Sequence, residues 1–339
     1  MSVRATVGGS HATTRRNGPN PRLPGWPVAL GILAGAAADA LFGDPRRGHP
    51  VALFGRAAQA AAGRAYADSR LRGAGYAVGC VLGAAAPALA AERLTRGRPL
   101  LRVAATAAAA WTVTGARSLV FESERIATCL DRGDLEGARA RLPNLCGRDP
   151  GRLGAEELAR AVVESVAENT SDAIVAPLLW GAVAGLPGMT GYRAVNTLDA
   201  MVGYRSAKWA RFGWGAARLD DVVNWAPARL TGLLTAACAP VVGGSPVAAW
   251  RAMRRYGARH PSPNAGRCEA AFAGALGVRL GGTNSYEGAA ERRPELGDGR
   301  APGSADIRRA VRLCRAVTIA ATAAAAAATA VAGARRKRG

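Results

Sequence analysis

Six apolar stretches, separated by arginine-rich connectors, constrain this sequence more than any other feature. Spanning a bilayer takes about 20 apolar residues, with a range of about 17 to 25, so several of these stretches are marginal spans. Their alanine content weakens them further on insertion scales. The alternative, that some of them are buried helices of a soluble bundle, stays open. The stretches cover roughly residues 27–43, 74–91, 100–116, 173–190, 228–250 and 316–334.

The last stretch is the clearest candidate span. Its sequence AVTIAATAAAAAATAVAGA carries no charge and is followed by RRKRG, which favours a cytoplasmic C-terminus. Hydrophobic residues make up 49% of the chain but aromatic residues only 5%, so small side chains favour close helix packing. No stretch shows sustained period-two alternation. We predict an all-α, polytopic integral membrane protein with about four to six membrane helices and helical cytosolic connectors.

The sequence predicts one membrane domain between two polar tails. Residues 1–26 are basic and rich in Gly and Pro, so we expect a disordered tail before an uncleaved first membrane segment rather than a signal peptide. The membrane domain is expected over 27–334, with a basic tail at 335–339. Its main polar connector, 117–172, is predicted to form two helices around the loop PNLCGRDPGRLG. Most candidate site residues fall within 160–290.

The composition excludes several classes of site. The chain has 45 Lys+Arg against 24 Asp+Glu, a net charge of +21, but only two of the basic residues are lysines. A biased genome composition also produces such an arginine excess, so we do not take it as evidence for nucleic-acid binding. Six scattered cysteines without a CxxC pair and three isolated histidines argue against a zinc site or a disulfide framework. No GxxxxGK[ST] sequence is present, so any ATP is bound without a Walker A loop.

The segment ESVAENTSDAIVAPL contains the strongest candidate site. Glu164, Glu168 and Asp172 are spaced four residues apart, which places three carboxylates on one face of an α-helix. Like charges at that spacing repel each other. A cation or a cationic substrate would offset the repulsion, and oxygen ligands suit Mg²⁺. A solvated face, or pairing with Arg160, is the alternative, but the position at the edge of an apolar stretch favours function.

The segment YRAVNTLDAMVGYR contains a second set of polar residues. Arg193, Asn196, Asp199 and Gly203 can share one helical face, which would bring together a donor, an amide and a carboxylate. Asparagine is a mediocre helix former, so its place inside a helix calls for a reason. A buried hydrogen bond between helices explains it as well as a ligand contact does.

The segment LDDVVNWAPARL follows. We expect Asp220 or Asp221 to cap the N-terminus of a short helix, with Pro227 ending or kinking that helix. For Asp220 alone we favour the cap. For Asp221 together with Asn224, one turn further on, we favour a site.

Two weaker candidates remain. The turn at Ser262 and Asn264 precedes a helix of small residues, and free backbone N–H groups at such a junction can bind phosphate. An ordinary helix–loop junction is the more common explanation, and the pair Gly281–Gly282 that follows is a weak signal. His49 could act as a general acid or base, but a lone histidine beside proline is more often structural.

Taken together and in order, these segments strongly resemble the CobD/CbiB family of cobalamin biosynthesis, over roughly residues 30–290. The strings that carry the resemblance are DPRRGHPV, GRDP, ESVAENTSDAIVAPL, YRAVNTLDAMVGYR, DDVVNWAPARL and SPNAGRCEAAFAGALGVRLGG. The resemblance implies a multi-pass membrane protein with adenosylcobinamide-phosphate synthase activity. Such an enzyme joins adenosylcobyric acid to (R)-1-amino-2-propanol or its O-phosphate with ATP and Mg²⁺. The chain departs from the family pattern at Pro150 and at Arg267–Cys268, and it keeps the acidic and asparagine positions.

Within this resemblance each candidate residue receives a role as a hypothesis. Amide formation from a carboxylate needs an activated acyl group, most simply an acyl phosphate, whose charge is handled by metal and arginine. We assign Mg²⁺ to Glu164, Glu168 and Asp172. The catalytic candidates are Glu164, Glu168, Asp172, Asp199 and Asp221. The candidates for binding substrate or ATP are His49, Asn169, Arg193, Asn196, Arg205, Asn224, Ser262, Asn264, Glu269, Gly281 and Gly282.

The expected setting follows from the same resemblance. We expect a multi-pass protein of the cell membrane, with a corrinoid, aminopropanol or its phosphate, the bilayer and other cobalamin-assembly enzymes as partners, and no nucleic acid. Because ATP is cytosolic, the site should face the cytoplasm, yet counting every stretch as a span puts 192–227 on the opposite side. We therefore expect 173–190 to be re-entrant or buried in protein. A transporter, a non-catalytic partner of a corrinoid assembly complex and a membrane-tethered nucleic-acid binder are the competing classes.

Overall fold

The computed structural model describes residues 25–45, 48–204, 206–286 and 289–338. Thirteen α-helices lie within these residues: α1 Trp26–Phe42, α2 Pro50–Ala65, α3 Arg70–Leu94, α4 Pro99–Val113, α5 Ala116–Asp131, α6 Leu135–Arg141, α7 Ala155–Thr170, α8 Ala176–Val202, α9 Trp214–Val223, α10 Trp225–Cys238, α11 Pro246–Tyr256, α12 Ala265–Leu276 and α13 Ser304–Arg338. The shorter elements are 3₁₀ turns at Leu142–Asn144 and Ala239–Val242, a π-turn at Ser171–Val175, and strands β1 Leu280–Tyr286 and β2 Ala289–Leu296.

Three helical runs in the described part of the chain are long and apolar enough to cross a membrane. They are α3, the continuous run Ala155–Val202 that joins α7 to α8, and Ser304–Ala334 of α13; α1 is apolar but shorter. Only 11% of the apolar window of α3 is buried in protein, against 50% of that of Ala155–Val202. We conclude that α3 offers its side chains to lipid, whereas the α7–α8 run belongs to the protein core. The predicted all-α membrane architecture is confirmed.

The apolar stretch expected over 228–250 is not one helix. Pro240 starts the 3₁₀ turn after α10, and Gly243, with φ of +70°, turns the chain before α11 begins at Pro246. Proline fixes φ and lacks an N–H donor, and glycine adopts positive φ at little cost, so the pair breaks the run despite its hydropathy. This stretch therefore drops out of the predicted set of single spans.

The run α7–α8 is broken a second time, at Gly185. Its φ of +65° and ψ of −149° interrupt the helix, and the N–H of Leu186 donates to Glu92 Oε2 of α3 at 3.1 Å. Glu92 Oε1 lies 2.5 Å from Nη2 of the buried Arg102. Because a broken helix inside a membrane protein must find partners for the amides it frees, this carboxylate serves as the cap of the second half of α8.

Gly185→Ala is expected to lower the melting temperature of the detergent-solubilised protein. A side chain at this φ and ψ, which glycine almost alone adopts, costs about 1–3 kcal/mol, and a Cβ there would lie 2.5 Å from Glu92 Oε2. Gly79→Ala in α3 is the matched control, because a Cβ at Gly79 meets nothing within 4 Å. Thermal unfolding followed by circular dichroism compares the two. Equal melting temperatures would show that the break at Gly185 tolerates a side chain.

The centre of the bundle is built around α12. Ten of its twelve residues are buried, and small side chains let neighbouring backbones approach: a Cβ at Gly274 would lie 2.6 Å from the carbonyl oxygen of Ala248 in α11. Close packing of this kind leaves no space for water around a polar side chain. Glu269, the acidic residue of α12, is thus carried into the protein interior.

An antiparallel hairpin of β1 and β2, absent from the sequence prediction, follows α12. Leu280 pairs with Leu296 and Gly282 with Arg293, with an irregular register between Leu280 and Gly282. Gly281 and Gly282 have φ of +83° and +92°. The hairpin escaped the sequence analysis because the glycines of β1 weaken the alternation by which strands are recognised.

Candidate functional site

The richest group of buried polar residues lies where α7 continues through the π-turn into α8. A π-turn has more residues per turn than an α-helix and often marks a functional site. Asp172 is the second residue of this turn and contacts α8. Asp172 Oδ2 lies 3.4 Å from Asn196 Nδ2, and the hydroxyl of Tyr192 lies 3.1 Å from the carbonyl oxygen of Asp172.

Glu164 is engaged in structural contacts. One oxygen forms a buried ion pair with Arg148, from the loop before α7, and Oε1 accepts a hydrogen bond of 2.6 Å from the N–H of Gly281 at the start of β1. Arg160, one turn earlier, donates from Nη2 to the carbonyl oxygen of Thr283 at 2.7 Å. These contacts hold the hairpin against α7.

Glu168 is exposed, unlike Glu164, which is 3% exposed. It lies within electrostatic range of Glu164 and Glu269 on one side and of Asp172 and Asp199 on the other. Glu168 therefore stands between two acidic groups and is the member of the predicted trio that a ligand can reach most directly. Asn169 beside it donates to the carbonyl oxygen of Ser165 at 2.9 Å.

Asp220 faces the same region from α9. Burial raises its pKa to about 7, the charge of Asp199 acts in the same direction, and the side chains of Asn224 and Asn196 lower it. Its Oδ1 is buried without a hydrogen-bond partner among the described residues. Asn224 Oδ1 accepts a hydrogen bond of 2.8 Å from the hydroxyl of Tyr192.

The capping role expected for the LDDVVNWAP segment is wrong. Helix α9 begins at Trp214, so Asp220 and Asp221 lie in its second half rather than at its N-terminus. Asp221 Oδ2 instead pairs with Arg218 Nη1 at 3.2 Å. Pro227 lies in the first turn of α10, four residues after Val223, where α9 ends, so the expected end of that helix is confirmed and the proline is tolerated at the start of the next one.

Arg193 borders a largely apolar cleft between α2, α3, α4 and α8, lined among others by Val51 and Phe54. Its Nη1 donates to Asn196 Oδ1 at 3.3 Å, which links the cleft to Asp172. His49 caps α2 through Nδ1, which accepts from the N–H of Val51 at 3.2 Å. This helix-capping contact agrees with the structural role considered for His49.

The turn before α12 forms as expected, and its asparagine is used for packing. Ser262 Oγ accepts hydrogen bonds from the N–H groups of Asn264, at 3.3 Å, and Ala265, at 3.2 Å. The amide of Asn264 donates to the carbonyl oxygen of Asp221 and accepts from Arg229 Nη1, both at 2.8 Å. This buried amide therefore joins α9, α10 and α12.

Glu269 lies in a buried group with two residues that the sequence analysis did not single out. Its Oε1 is 3.8 Å from His260 Nε2, and Arg293 Nη1 of β2 is 3.3 Å from the same nitrogen. Burial raises the pKa of Glu269 well above its ordinary value, and repulsion from Glu164 and Glu168 adds to this. The hairpin and α12 thus meet the α7 carboxylates in a single polar region.

Four contributors were missed from the sequence: Arg148, Tyr192, His260 and Arg293. Arg148 and Tyr192 carried a signal, because they belong to the GRDP and YRAVNTLDAMVGYR strings of the resemblance. The others come from positions that no spacing rule connects to the acidic segment. Among the predicted residues, Arg205 lies outside the described residues, and Gly282 packs against Arg160, whose Nη1 would lie 2.9 Å from a Cβ at that position.

The carboxylates of this region fit Mg²⁺ only in a water-rich mode of binding. Among the residues that the structure describes, no group of three or more His, Cys, Asp or Glu side chains is placed to hold a metal ion. The face predicted from Glu164, Glu168 and Asp172 is therefore not assembled as a metal cage. Mg²⁺ in nucleotide sites usually keeps several waters and takes one or two carboxylates plus phosphate oxygens. Glu168 and Asp172, with the unsatisfied Oδ1 of Asp220 nearby, fit that mode.

Comparison with known proteins decides the family. The model of the family described as CobD/Cbib protein matches residues 32–314. The chain belongs to the CobD/CbiB family. The curated relatives named "Cobalamin biosynthesis protein CobD" include one from Mycobacterium tuberculosis strain H37Rv, 56% identical over 289 residues, which cover 85% of this chain and 92% of the relative. Another, from Geobacter metallireducens, is 46% identical over 274 residues, or 79% and 86% of the two chains.

Membership in this family places the chain in cobalamin biosynthesis, as the resemblance implied. A third relative of the same name, from Rhodobacter capsulatus, is 43% identical over 294 residues, covering 85% of this chain and 91% of its own. No solved structure matches the chain. The matched range includes α7 to α12, so every element that contributes to the polar region lies inside the family domain.

Proposed function

We propose that this protein is the adenosylcobinamide-phosphate synthase of its pathway. In this role it would join the propionate carboxyl of adenosylcobyric acid to (R)-1-amino-2-propanol or its O-phosphate, with ATP and Mg²⁺. The observation that carries the proposal is the excess of carboxylates at one place: Glu168, Asp172, Asp199 and Asp220 influence one another electrostatically. Arg193 acts on Asp172, and Arg293 and Arg148 act on Glu168, whereas Asp199 and Asp220 mainly face other carboxylates, so a cationic ligand is the natural complement there.

Two kinds of cation enter the proposed reaction. Glu168 and Asp172 would hold the magnesium of MgATP. When bound, this ion would neutralise negative charge on the phosphates. Asp199 and Asp220 would bind the ammonium group of the amino alcohol and accept its proton before it attacks. Asp220 suits proton transfer, because its pKa of about 7 lies near neutral pH. Arg193 would bind a phosphate group, a role for which its planar guanidinium is suited.

The chemical sequence requires an activated acyl group. In the proposed order the propionate carboxylate attacks the terminal phosphorus of ATP and releases ADP, and the amine then displaces phosphate from the acyl phosphate to form the amide. The buried surroundings of Asp220 and Glu269 limit the water that would hydrolyse such an acyl group. We further propose that the protein resides in the cell membrane and that the site opens to the cytoplasm, where ATP is available. Because the end of α7 meets α13 at Cys314, where the apolar part of α13 begins, this orientation places the C-terminal end of α13 on the opposite side, against the orientation that RRKRG favours.

The test is product formation by the full chain reconstituted in liposomes. Adenosylcobyric acid, aminopropanol phosphate, ATP and Mg²⁺ are supplied, and mass spectrometry detects the condensed corrinoid. We expect product that requires both ATP and Mg²⁺, with one ADP released per amide. Free aminopropanol in a parallel reaction identifies the preferred amine. Corrinoid uptake into the liposomes without condensation would favour a transporter and contradict the proposal.

A further inference from the structure

Helix α11 presents two different faces. Ala249, Ala252, Met253 and Tyr256 are buried against the bundle. The exposed face of the same helix carries Val247, Trp250, Arg251, Arg254 and Arg255, so aliphatic, aromatic and basic side chains share one surface. Helices that lie flat in a membrane interface combine arginine with tryptophan and aliphatic residues in this way.

The position of α11 along the bundle agrees with an interfacial depth. Arg309, in the second turn of α13, donates from Nη2 to the carbonyl oxygen of Val242 at 3.1 Å, just before α11 begins. The uncharged stretch of α13 starts at Ala316, seven residues later, which is about 10 Å along the helix axis. The start of α11 is therefore level with the charged first turns of α13, close to where its apolar part begins.

The apolar part of this surface continues beyond α11. Leu233 of α10 is 48% exposed and Val241 of the 3₁₀ turn 57%, next to Val247 at 53% and Trp250 at 38%. These side chains lie on segments that contact α13 and α11. They fit the acyl side of a headgroup layer.

The charges of the surface are open to an anionic partner. Within the described residues neither Arg251 nor Arg254 contacts a carboxylate, and Arg255 alone has one, Asp298 at 3.6 Å. Arg254 lies over the ring of Trp250, 5.9 Å from its centroid, so guanidinium and indole are presented together. Basic residues near a membrane surface attract anionic lipid, each contributing a sizeable part of the binding.

We propose that α11 lies in the plane of the membrane interface and binds the phosphate headgroups of anionic lipids through Arg251 and Arg254. Trp250 and Val247 enter the boundary between headgroups and acyl chains. Because α11 packs along α12, which carries Glu269, one helix separates the proposed lipid surface from the polar region. The inference does not depend on which reaction that region catalyses.

The first test measures lipid retention. The full chain and its Arg251→Gln/Arg254→Gln variant are purified in detergent with equal amounts of phosphatidylglycerol and phosphatidylcholine, and bound lipid is counted by native mass spectrometry. We expect the double variant to weaken phosphatidylglycerol binding about tenfold and to leave phosphatidylcholine binding unchanged. Arg132→Gln/Arg152→Gln, in the polar connector, removes the same charge from exposed positions and should retain the lipid. Equal loss in both pairs, or no loss in either, would overturn the proposal.

The second test measures depth and does not require the arginine variant to fold. Wild type and Trp250→Phe are reconstituted in nanodiscs of phosphatidylglycerol with or without bromine on the acyl chains. The difference between the two proteins isolates the emission of Trp250, which we expect brominated lipid to quench at least twofold. An unquenched Trp250 would place this face in water, as a protein-docking surface would require, and would contradict the proposal.

Discussion

Glu168→Gln is expected to abolish ATP-dependent amide formation while leaving the protein folded in the membrane. The substitution keeps the shape of the side chain and removes one negative charge from the exposed position between the two acidic groups. A ligand or proton acceptor lost from a reacting centre typically costs roughly 10²–10⁴-fold in rate. Product formation in liposomes, followed by mass spectrometry over a range of Mg²⁺ concentrations, measures the loss.

A matched substitution separates this effect from a general change of charge. Glu156 lies in the first turn of the same helix and is exposed, and no acidic cluster surrounds it. Glu156→Gln should therefore keep wild-type turnover. Circular dichroism of both variants in detergent checks that the helices are intact. Wild-type turnover by Glu168→Gln would remove this residue from the reaction, whatever the fate of the other carboxylates.

The sequence was sufficient to predict the family, the helical membrane architecture and most of the segments that meet in the polar region. Apolar length and charge are local properties, so they can be read without knowing the packing. The strings around Glu164, Arg193 and Asn224 lie in α7, α8 and the junction of α9 with α10, and Asp172, Tyr192 and Asn224 do come together. The polar residues of these strings therefore indicated correctly which segments of the chain pack together.

The exact geometry was not predictable, because it depends on deviations from the regular helix. Helical spacing put Glu164, Glu168 and Asp172 on one line, but the regular α-helix ends before the third, which lies in the π-turn Ser171–Val175. The capping prediction for Asp220 failed because α9 begins at Trp214, six residues earlier, after Gly213 and without a side-chain cap. Hydropathy likewise missed the breaks at Pro240 and Gly185, because neither residue makes a segment less apolar.

The break in α8 fixes the position of the half-helix that carries part of the site. Gly185 ends the first half of α8, and the carboxylate of Glu92, fixed by Arg102, caps the second half. Arg193, Asn196 and Asp199 all lie on that second half, so their placement depends on where the break occurs. A helix end held by an ion pair from a neighbouring helix positions side chains more precisely than a flexible loop would.

Among single substitutions at this site, Glu164→Ala is expected to destabilise the folded protein most. It leaves Arg148 in a buried position without its carboxylate and removes the acceptor of the Gly281 N–H. Removing one partner of a buried ion pair costs about 3–5 kcal/mol. Thermal unfolding in detergent should show a large fall in melting temperature. The comparison is Glu122→Ala, whose partner Arg141 lies 3.1 Å away in a half-exposed pair, for which about 0–1 kcal/mol is expected.

A double substitution then separates the structural role of Glu164 from the magnesium role predicted from its spacing. Arg148→Met with Glu164→Met removes both charges together, and replacing a buried ion pair by apolar residues of similar size is often neutral or stabilising. If Glu164 only holds the hairpin against α7, the folded double variant should need the same Mg²⁺ concentration for half-maximal turnover as wild type. A rise of tenfold or more in that concentration, at restored stability, would instead make Glu164 a metal ligand. The contacts with Arg148 and Gly281 lead us to expect the first result, because they already occupy its two oxygens.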